Sequence, residues 1–363
     1  MKIAIIGSRG IPAHYGGFET FAQELAPRLV EMGHDVTVYC RAGYTGDPPP
    51  DSFEGVRLIH TPYLRNRSLE TPSHELSSIF DSLRRGFDVY YFLGTRSSIL
   101  YLPLRLAGRK VVVHTDGIEW KRRKWGRVGR AYLKASEWIA ARLAARVLVT
   151  DAEAMRGYYL ERYGRDSHCI PYGAPTPDEV DLSALASWGL EPGGYHMVVC
   201  RLEPENNVDV IIREFVASGS ERTLIIVGST NYRTPYHRRL RALATSQVRF
   251  LGAVYGADLE ALRSGAFAYI HGHEVGGTNP SLLEAMGCGN SVLALDTEFD
   301  REVLAGTGYL WTGASGSLAG LIDRVESSPE DAASTGQRAR QRIKDSYSWE
   351  RVADAHDRMF RET

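Results

Sequence analysis

Short, continuous apolar runs alternate with stretches of helical periodicity along almost the whole chain. This alternation restricts the fold more than any other feature. In the first half Lys2–Ile6, Asp35–Cys40, Val56–His60, Asp88–Leu93, Lys110–His114, Val147–Thr150 and His168–Pro171 read as strands. In the second half His196–Cys200, Thr223–Val227, Val248–Leu251, Ala266–His271, Ser291–Leu295 and Gly308–Trp311 do the same. Runs without polar alternation belong to parallel strands covered on both faces. Between the first two strands Phe18, Phe21, Leu25, Leu29 and Met32 form one helical stripe over Gly16–Gly33. Pro27 interrupts it and predicts a kink. The chain closes in helical stretches over 314–345 and 348–361. Pro177, Gly189, Pro192, Gly193 and Gly194 mark 176–194 as a linker. The pattern predicts an α/β protein of two doubly wound, Rossmann-like domains, 1–175 and 176–346, facing across a cleft. The last segment, 347–363, is expected to pack back on the first domain.

A chain of 363 residues suits two such domains, and its 43% apolar and 24% charged residues are those of an ordinary globular protein. Neither a long polar tract nor an apolar run of membrane-spanning length occurs. The N-terminus enters a strand directly, without a signal-peptide pattern. The four cysteines, Cys40, Cys169, Cys200 and Cys288, form no CxxC pair, and reduced thiols in a cytoplasmic protein are the expectation. Charge is uneven: the first 175 residues carry +7 and the rest −8. The first half is therefore expected to meet something anionic.

Four segments carry chemistry. Gly7-Ser8-Arg9-Gly10-Ile11-Pro12, continuing to Gly16-Gly17, joins a strand to a helix, where glycine lets backbone approach a phosphate. A nicotinamide site is a poorer reading, because GxGxxG is absent and Cys40-Arg41 ends the second strand instead of an acid. His271 to Met286 is the strongest signal. Asn279 fits a helix cap and Pro280 the first helical position. The amides of Ser281 and Leu282 would then face an anion such as a diphosphate, after the loop Gly276-Gly277-Thr278. Glu284, one turn on, could accept from a ribose hydroxyl. His271 and His273, one residue apart on a strand, should face opposite ways, and no third ligand suggests a metal. Arg201, at a strand's carboxyl end, is placed to clamp phosphates, or else to pair with Glu203 or Glu205. Finally, Asp116 follows a strand, and 117–146 hold nine Lys/Arg, two Asp/Glu and Trp120, Trp125 and Trp138. Such a stretch suits a membrane surface or a lipid-linked diphosphate, or else a solvated helix face; no nucleic-acid motif accompanies it.

These residues resemble the retaining glycosyltransferases of family 4, of GT-B fold. The resemblance runs nearly end to end, through Gly16-Gly17-Phe18-Glu19, Arg201-Leu202, Glu284-Ala285-Met286 and Tyr347-Ser348-Trp349-Glu350. Gly7–Pro12, Tyr15–Phe21, Asp116–Arg122 and Val275–Pro280 look like the bacterial β-1,4-rhamnosyltransferase branch of capsule and cell-wall synthesis. Gly276 stands where the wider family has a glutamate, Asn206 where it has a lysine, Asp116 where it has a histidine, and Tyr172 where Pro-Asn-Gly has its asparagine.

The resemblance implies a metal-independent, retaining hexosyl transfer without cofactor, from dTDP-β-L-rhamnose or another nucleotide sugar. It places the donor against Gly16, Gly17, Arg201, Asn206, Gly276, Gly277, Thr278, Asn279, Ser281, Leu282 and Glu284. Asp116, Asp151, Tyr172 and Arg201 would shape the reaction centre; Asp151 could instead be a helix cap and Tyr172 packing. A glycan or polyprenyl-diphosphate-linked acceptor would meet Asp116, Glu119, Trp120, Lys121, Arg122, Lys124 and Trp125, on the cytoplasmic face of the membrane. A sugar-nucleotide-binding protein without activity and a GT-B epimerase are the alternatives.

Overall fold

The computed structural model describes residues 1–13, 16–66, 69–115, 117–122, 125–229 and 235–362. Asp116 and Lys124 lie outside them. The chain forms two units: Met1–Tyr172 with Trp349–Thr363, and Gly173–Ser348.

The first unit is built on β1 (Lys2–Ile6), β2 (Asp35–Arg41), β3 (Ser52–Phe53), β4 (Val56–Thr61), β5 (Val89–Leu93), β6 (Lys110–His114), β7 (Val147–Thr150) and β8 (His168–Cys169). Their order is β3-β4-β2-β1-β5-β6-β7-β8. Every pairing is parallel except that of the two-residue β3, which the sequence pattern is too short to reveal. All five residues of β5, Val-Tyr-Tyr-Phe-Leu, are buried, as a central parallel strand requires. The first helix runs Gly17–Glu31 with Pro27 buried inside it. The final helix, Trp349–Glu362, packs on that helix through Trp349, whose ring lies 6.2 Å from Phe21, and His356, 5.5 Å from the same ring.

The second unit contains β9 (Tyr195–Val199), β10 (Thr223–Val227), β11 (Val248–Gly252), β12 (Ala268–His271), β13 (Ser291–Leu295) and β14 (Tyr309–Trp311), in the order β11-β10-β9-β12-β13-β14. All pairings are parallel. The helical stretch expected over 314–345 is two helices, Ser317–Ser327 and Pro329–Ser346, divided where Pro329 opens the second. The first of them begins on Gly316 without a cap of its own. Glu214 supplies one from another helix, accepting the amides of Gly316, Leu318 and Ala319 at 3.0–3.2 Å. A carboxylate there also meets the positive end of the helix dipole.

Candidate active site

In each sheet the strand order reverses beside the first strand. Loops leaving the carboxyl ends of the two strands at that point flank a crevice, the usual ligand position in open α/β sheets. In the second unit the strands are β9 and β12.

The loop after β9 carries Arg201 to Asn207. Arg201 is exposed, and among the described residues its guanidinium makes no ion pair or hydrogen bond, so the alternative of a bridge to Glu203 or Glu205 is not realised. Asn206 is buried and donates Nδ2 to the Arg201 carbonyl at 2.6 Å. It shapes its own loop instead of offering the charge that a lysine would.

Asn207 was not visible as a site residue. It sits at φ +53° and opens the helix Val208–Ser218. This left-handed conformation suits asparagine better than most residues. From it Nδ2 donates to the Gly272 carbonyl at 3.0 Å and to Glu274 Oε1 at 3.1 Å, tying the loop after β9 to the loop after β12. The Glu274 amide completes the tie by donating to the Glu205 carbonyl at 2.9 Å. Gly272 is needed here: a Cβ would stand 2.6 Å from the Asn206 carbonyl oxygen.

After β12 the loop runs through Gly276, Gly277 and Thr278 to the helix Pro280–Gly287. No atom among the described residues lies within 4 Å of where a Gly276 Cβ would be. Packing therefore does not demand glycine there. Asn279 is the helix cap, as expected, but its Oδ1 takes the Ser281 amide at 3.1 Å and the Ser281 hydroxyl at 2.8 Å. The Leu282 amide donates to the Asn279 carbonyl at 3.1 Å. The expectation that these two amides point freely at an anion is thus corrected: the cap consumes them. Glu284 is half-buried and pairs with the buried Arg263 of the helix Gly256–Ser264. Arg263 had no local signal in the sequence.

His271 and His273 do not face opposite ways. Strand β12 ends at His271, so the alternation stops there, and the two rings stack at 4.3 Å between centroids and 17° between planes. Burial pushes His271 down to about 3 and Asp300 up to about 7, and His271 Nε2 lies 3.7 Å from Asp300 Oδ1. Among the described residues no three His, Cys, Asp or Glu side chains gather to hold a metal.

In the first unit the switch strands are β1 and β5. The loop after β1 is fastened by Glu19, a residue of the first helical turn, whose Oε1 accepts the Arg9 amide at 2.8 Å. Gly16 has φ +122°, and a Cβ there would overlap the Glu19 carboxylate. Gly17 is the first residue of the helix.

The basic tryptophan segment is folded inward only in part: Glu119 and Arg122 are buried, whereas Lys121, Arg127, Arg130, Lys134 and Trp138 are exposed. Glu119 has among its partners Arg96 Nη2 at 2.7 Å, Arg122 Nε at 2.7 Å and Trp125 Nε1 at 3.0 Å. Trp120 is half-buried beneath Lys134, whose Nζ is 4.3 Å from the ring centre, with Arg162 at 5.5 Å and Lys121 at 6.0 Å. Glu119, Arg122 and Trp125 therefore hold each other, which a charge count along the chain could not reveal.

Asp151 follows β7 and is 1% exposed. It is not the cap of the next helix; Ala152 holds that position, without a side-chain cap bond. Tyr172 packs edge-on against Phe21 at 5.3 Å and lies 5.6 Å from His114. It is core, and the packing alternative is the one this geometry carries. Burial pushes His114 down to about 4, and the neighbouring His356 down to about 3.

Two family models match the chain. One, described as a Glycosyl transferase 4-like domain, covers residues 16–173, and the other, Glycosyl transferases group 1, covers 191–342. The chain thus carries two glycosyltransferase-type domains, one matched by each model. Sucrose-phosphate synthase from Thermosynechococcus elongatus is similar in fold, with a TM-score of 0.85 at 19% identity over 99% of this chain and 98% of that one. HepE of Anabaena, solved with UDP-glucose, gives 0.80 at 17% identity over 100% of both chains. A glycosyltransferase of Rickettsia africae gives 0.74 at 15% identity over 99% of this chain and 97% of its own. The chain thus has the two Rossmann-like, parallel-sheet domains of the GT-B fold. No curated protein matches it in amino-acid sequence. No helix among the described residues is long and apolar enough to cross a membrane.

Proposed function

We propose that the transferase moves a hexosyl group from a nucleoside-diphosphate sugar with retention and without a metal, to a glycan or a polyprenyl-diphosphate-linked saccharide. The observation that carries the donor reading is Arg201, an exposed cation at the switch point of the second unit with no partner for its guanidinium among the described residues. A guanidinium there offsets the charge that grows on the leaving diphosphate. Glu284, oriented by Arg263, accepts from the ribose. Gly276 and Gly277 leave room for the sugar, and Thr278 and Asn279 line its approach. Attack comes from the face the diphosphate leaves. The acceptor hydroxyl forms the new glycosidic bond as the bond to the phosphate oxygen breaks, and that oxygen takes the proton. The sequence resemblance favours dTDP-β-L-rhamnose as donor. The UDP-glucose bound to HepE makes UDP-glucose its first competitor. Asp116 and Asp151 are assigned to the reaction centre, and Asp116 also to the acceptor, on the cytoplasmic face of the membrane.

A panel of dTDP, UDP, GDP and ADP with their sugar conjugates, read by thermal shift, tests this. Ligand at about a hundred times its Kd raises stability by about 2.7 kcal/mol. A response selective for dTDP and dTDP-rhamnose is expected. Preference for a UDP or GDP sugar would discard rhamnose and keep the transferase, and silence from every nucleotide would discard the donor reading. One observation favours a binding protein without activity as a second reading: the amide of Asn206, where the wider family has lysine, is spent on the Arg201 carbonyl. Release of nucleoside diphosphate from a donor by purified protein separates the two.

A further inference from the structure

Helix Glu70–Ser82 of the first unit is built inside out. Its buried face is mostly polar: His74, Glu75, Ser78 and Ser82, with Ile79. Those groups find partners within the unit. Ser78 Oγ lies 2.9 Å from Thr61 Oγ1, and Tyr101 donates to Glu75 Oε2 at 3.0 Å. The outer face carries Leu69, Leu76, Phe80 and Leu83, all exposed, with Phe80 at 62%. At 3.6 residues per turn these four fall within an arc of about 60°. Leu64, 57% exposed, is held beside the same stripe, because its amide donates to the Ser73 hydroxyl at 2.9 Å. Five large apolar side chains in one exposed strip are more than scattered surface residues.

The charges around the strip are one-sided. Asp81 is held by Arg85 at 2.6 Å and by the Tyr39 hydroxyl at 2.9 Å, and Glu70 by Arg41 at 3.4 Å. Arg65 and Arg84 are exposed at the two ends of the strip, with no ion pair among the described residues. Neutralised acids and open arginines around leucine and phenylalanine complement an anionic lipid surface, whose head groups meet the arginines while the apolar stripe enters the acyl boundary. A second copy of the chain, docking the same face upon itself, would bring like charges together.

We propose that this face seats the first unit on an anionic membrane surface. It deepens the acceptor reading, since Glu75 on the inner face is bonded by the Tyr101 hydroxyl, which also lies 3.2 Å from the Gly94 carbonyl in the loop after β5. It is tested without donor or acceptor, so its failure and the failure of the transferase reading are separate results.

The whole protein is floated with vesicles of phosphatidylcholine containing phosphatidylglycerol, and with phosphatidylcholine alone. Binding only to the anionic vesicles is expected, weakened by salt, at least tenfold lower for Phe80→Asp and several-fold lower for Arg84→Glu. Both positions are exposed, so the variants should melt like the wild type. Failure of the wild type to bind anionic vesicles overturns the proposal, as does binding that Phe80→Asp leaves unchanged. A concentration-dependent dimer in light scattering that Phe80→Asp dissolves would overturn it in favour of a second copy.

Discussion

The carboxyl edges of the two sheets handle charge in opposite ways. In the first unit arginines are met by acids: Arg96 and Arg122 converge on Glu119. In the second unit the loops at the switch point are tied by an uncharged side chain, Asn207, and the Arg201 guanidinium has no partner among the described residues. A cation already paired has spent its field on its partner, whereas an unpaired one in a crevice still attracts an anion. The comparison teaches that a larger basic count need not mark where an anion is to be sought: the diphosphate proposed above is assigned to Arg201 in the acidic half, whose guanidinium makes no ion pair among the described residues.

The sharpest way to break this contrast is Arg201→Ala. Loss of transfer by about two to three orders of magnitude is expected, the scale for removing a group that stabilises developing negative charge. The melting temperature should hardly move, because among the described residues the side chain has no partner to lose. Turnover within a few-fold of wild type would remove the contrast. Glu119→Ala probes the other edge and should do the reverse. It removes the buried ion pair of Glu119 with Arg122, and loss of about 3 kcal/mol of stability is expected in denaturant titration. Donor affinity, read by thermal shift, should stay.

Much of the fold was legible because it is local. The all-apolar strands announce parallel sheets, and Asn279-Pro280 announces a helix start within two residues. The site was less legible because its ties are long-range. Asn207 meets Gly272, 65 positions away, and Glu119 meets Arg96, 23 away; neither segment signals the other. The histidine pair misled for a different reason. Alternation is a property of a strand, and the strand stops at His271.

Asn207 allows the tie itself to be weighed. Asn207→Ala removes the side-chain bonds and strains a left-handed residue, while Asn207→Gly removes only the bonds. A stability loss of about 1–2 kcal/mol is expected for alanine and roughly 1 kcal/mol less for glycine. Both should raise the donor KM more than they lower kcat, since the ground-state crevice is loosened and the cation remains. An equal effect of the two variants on stability would show that conformation is not what asparagine supplies.

The smallest expected effect separates the units by pH. In the first, His356 is buried and neutral, donating Nδ1 to the Val352 carbonyl at 2.8 Å and accepting from the Tyr91 hydroxyl at 2.9 Å, with His114 nearby. Its value lies at about 3, below the ordinary 6.5. The folded state thus refuses a proton the unfolded chain accepts, so its contribution is complete above pH 6.5 and is lost on acidification. In the second unit Asp300 is pushed by burial from 3.8 up to about 7, despite the hydroxyl of Thr297 at 2.9 Å. Here the folded state holds a proton the unfolded chain releases, so the contribution is complete below pH 3.8 and is lost as pH rises through 7. Melting temperatures between pH 4 and 7 for wild type, His356→Phe and Asp300→Asn should therefore diverge in opposite directions. The wild type should gain on His356→Phe as pH rises and lose against Asp300→Asn over the same range. Parallel curves for either pair would mean that the buried group already matches its solution protonation, and that water reaches it.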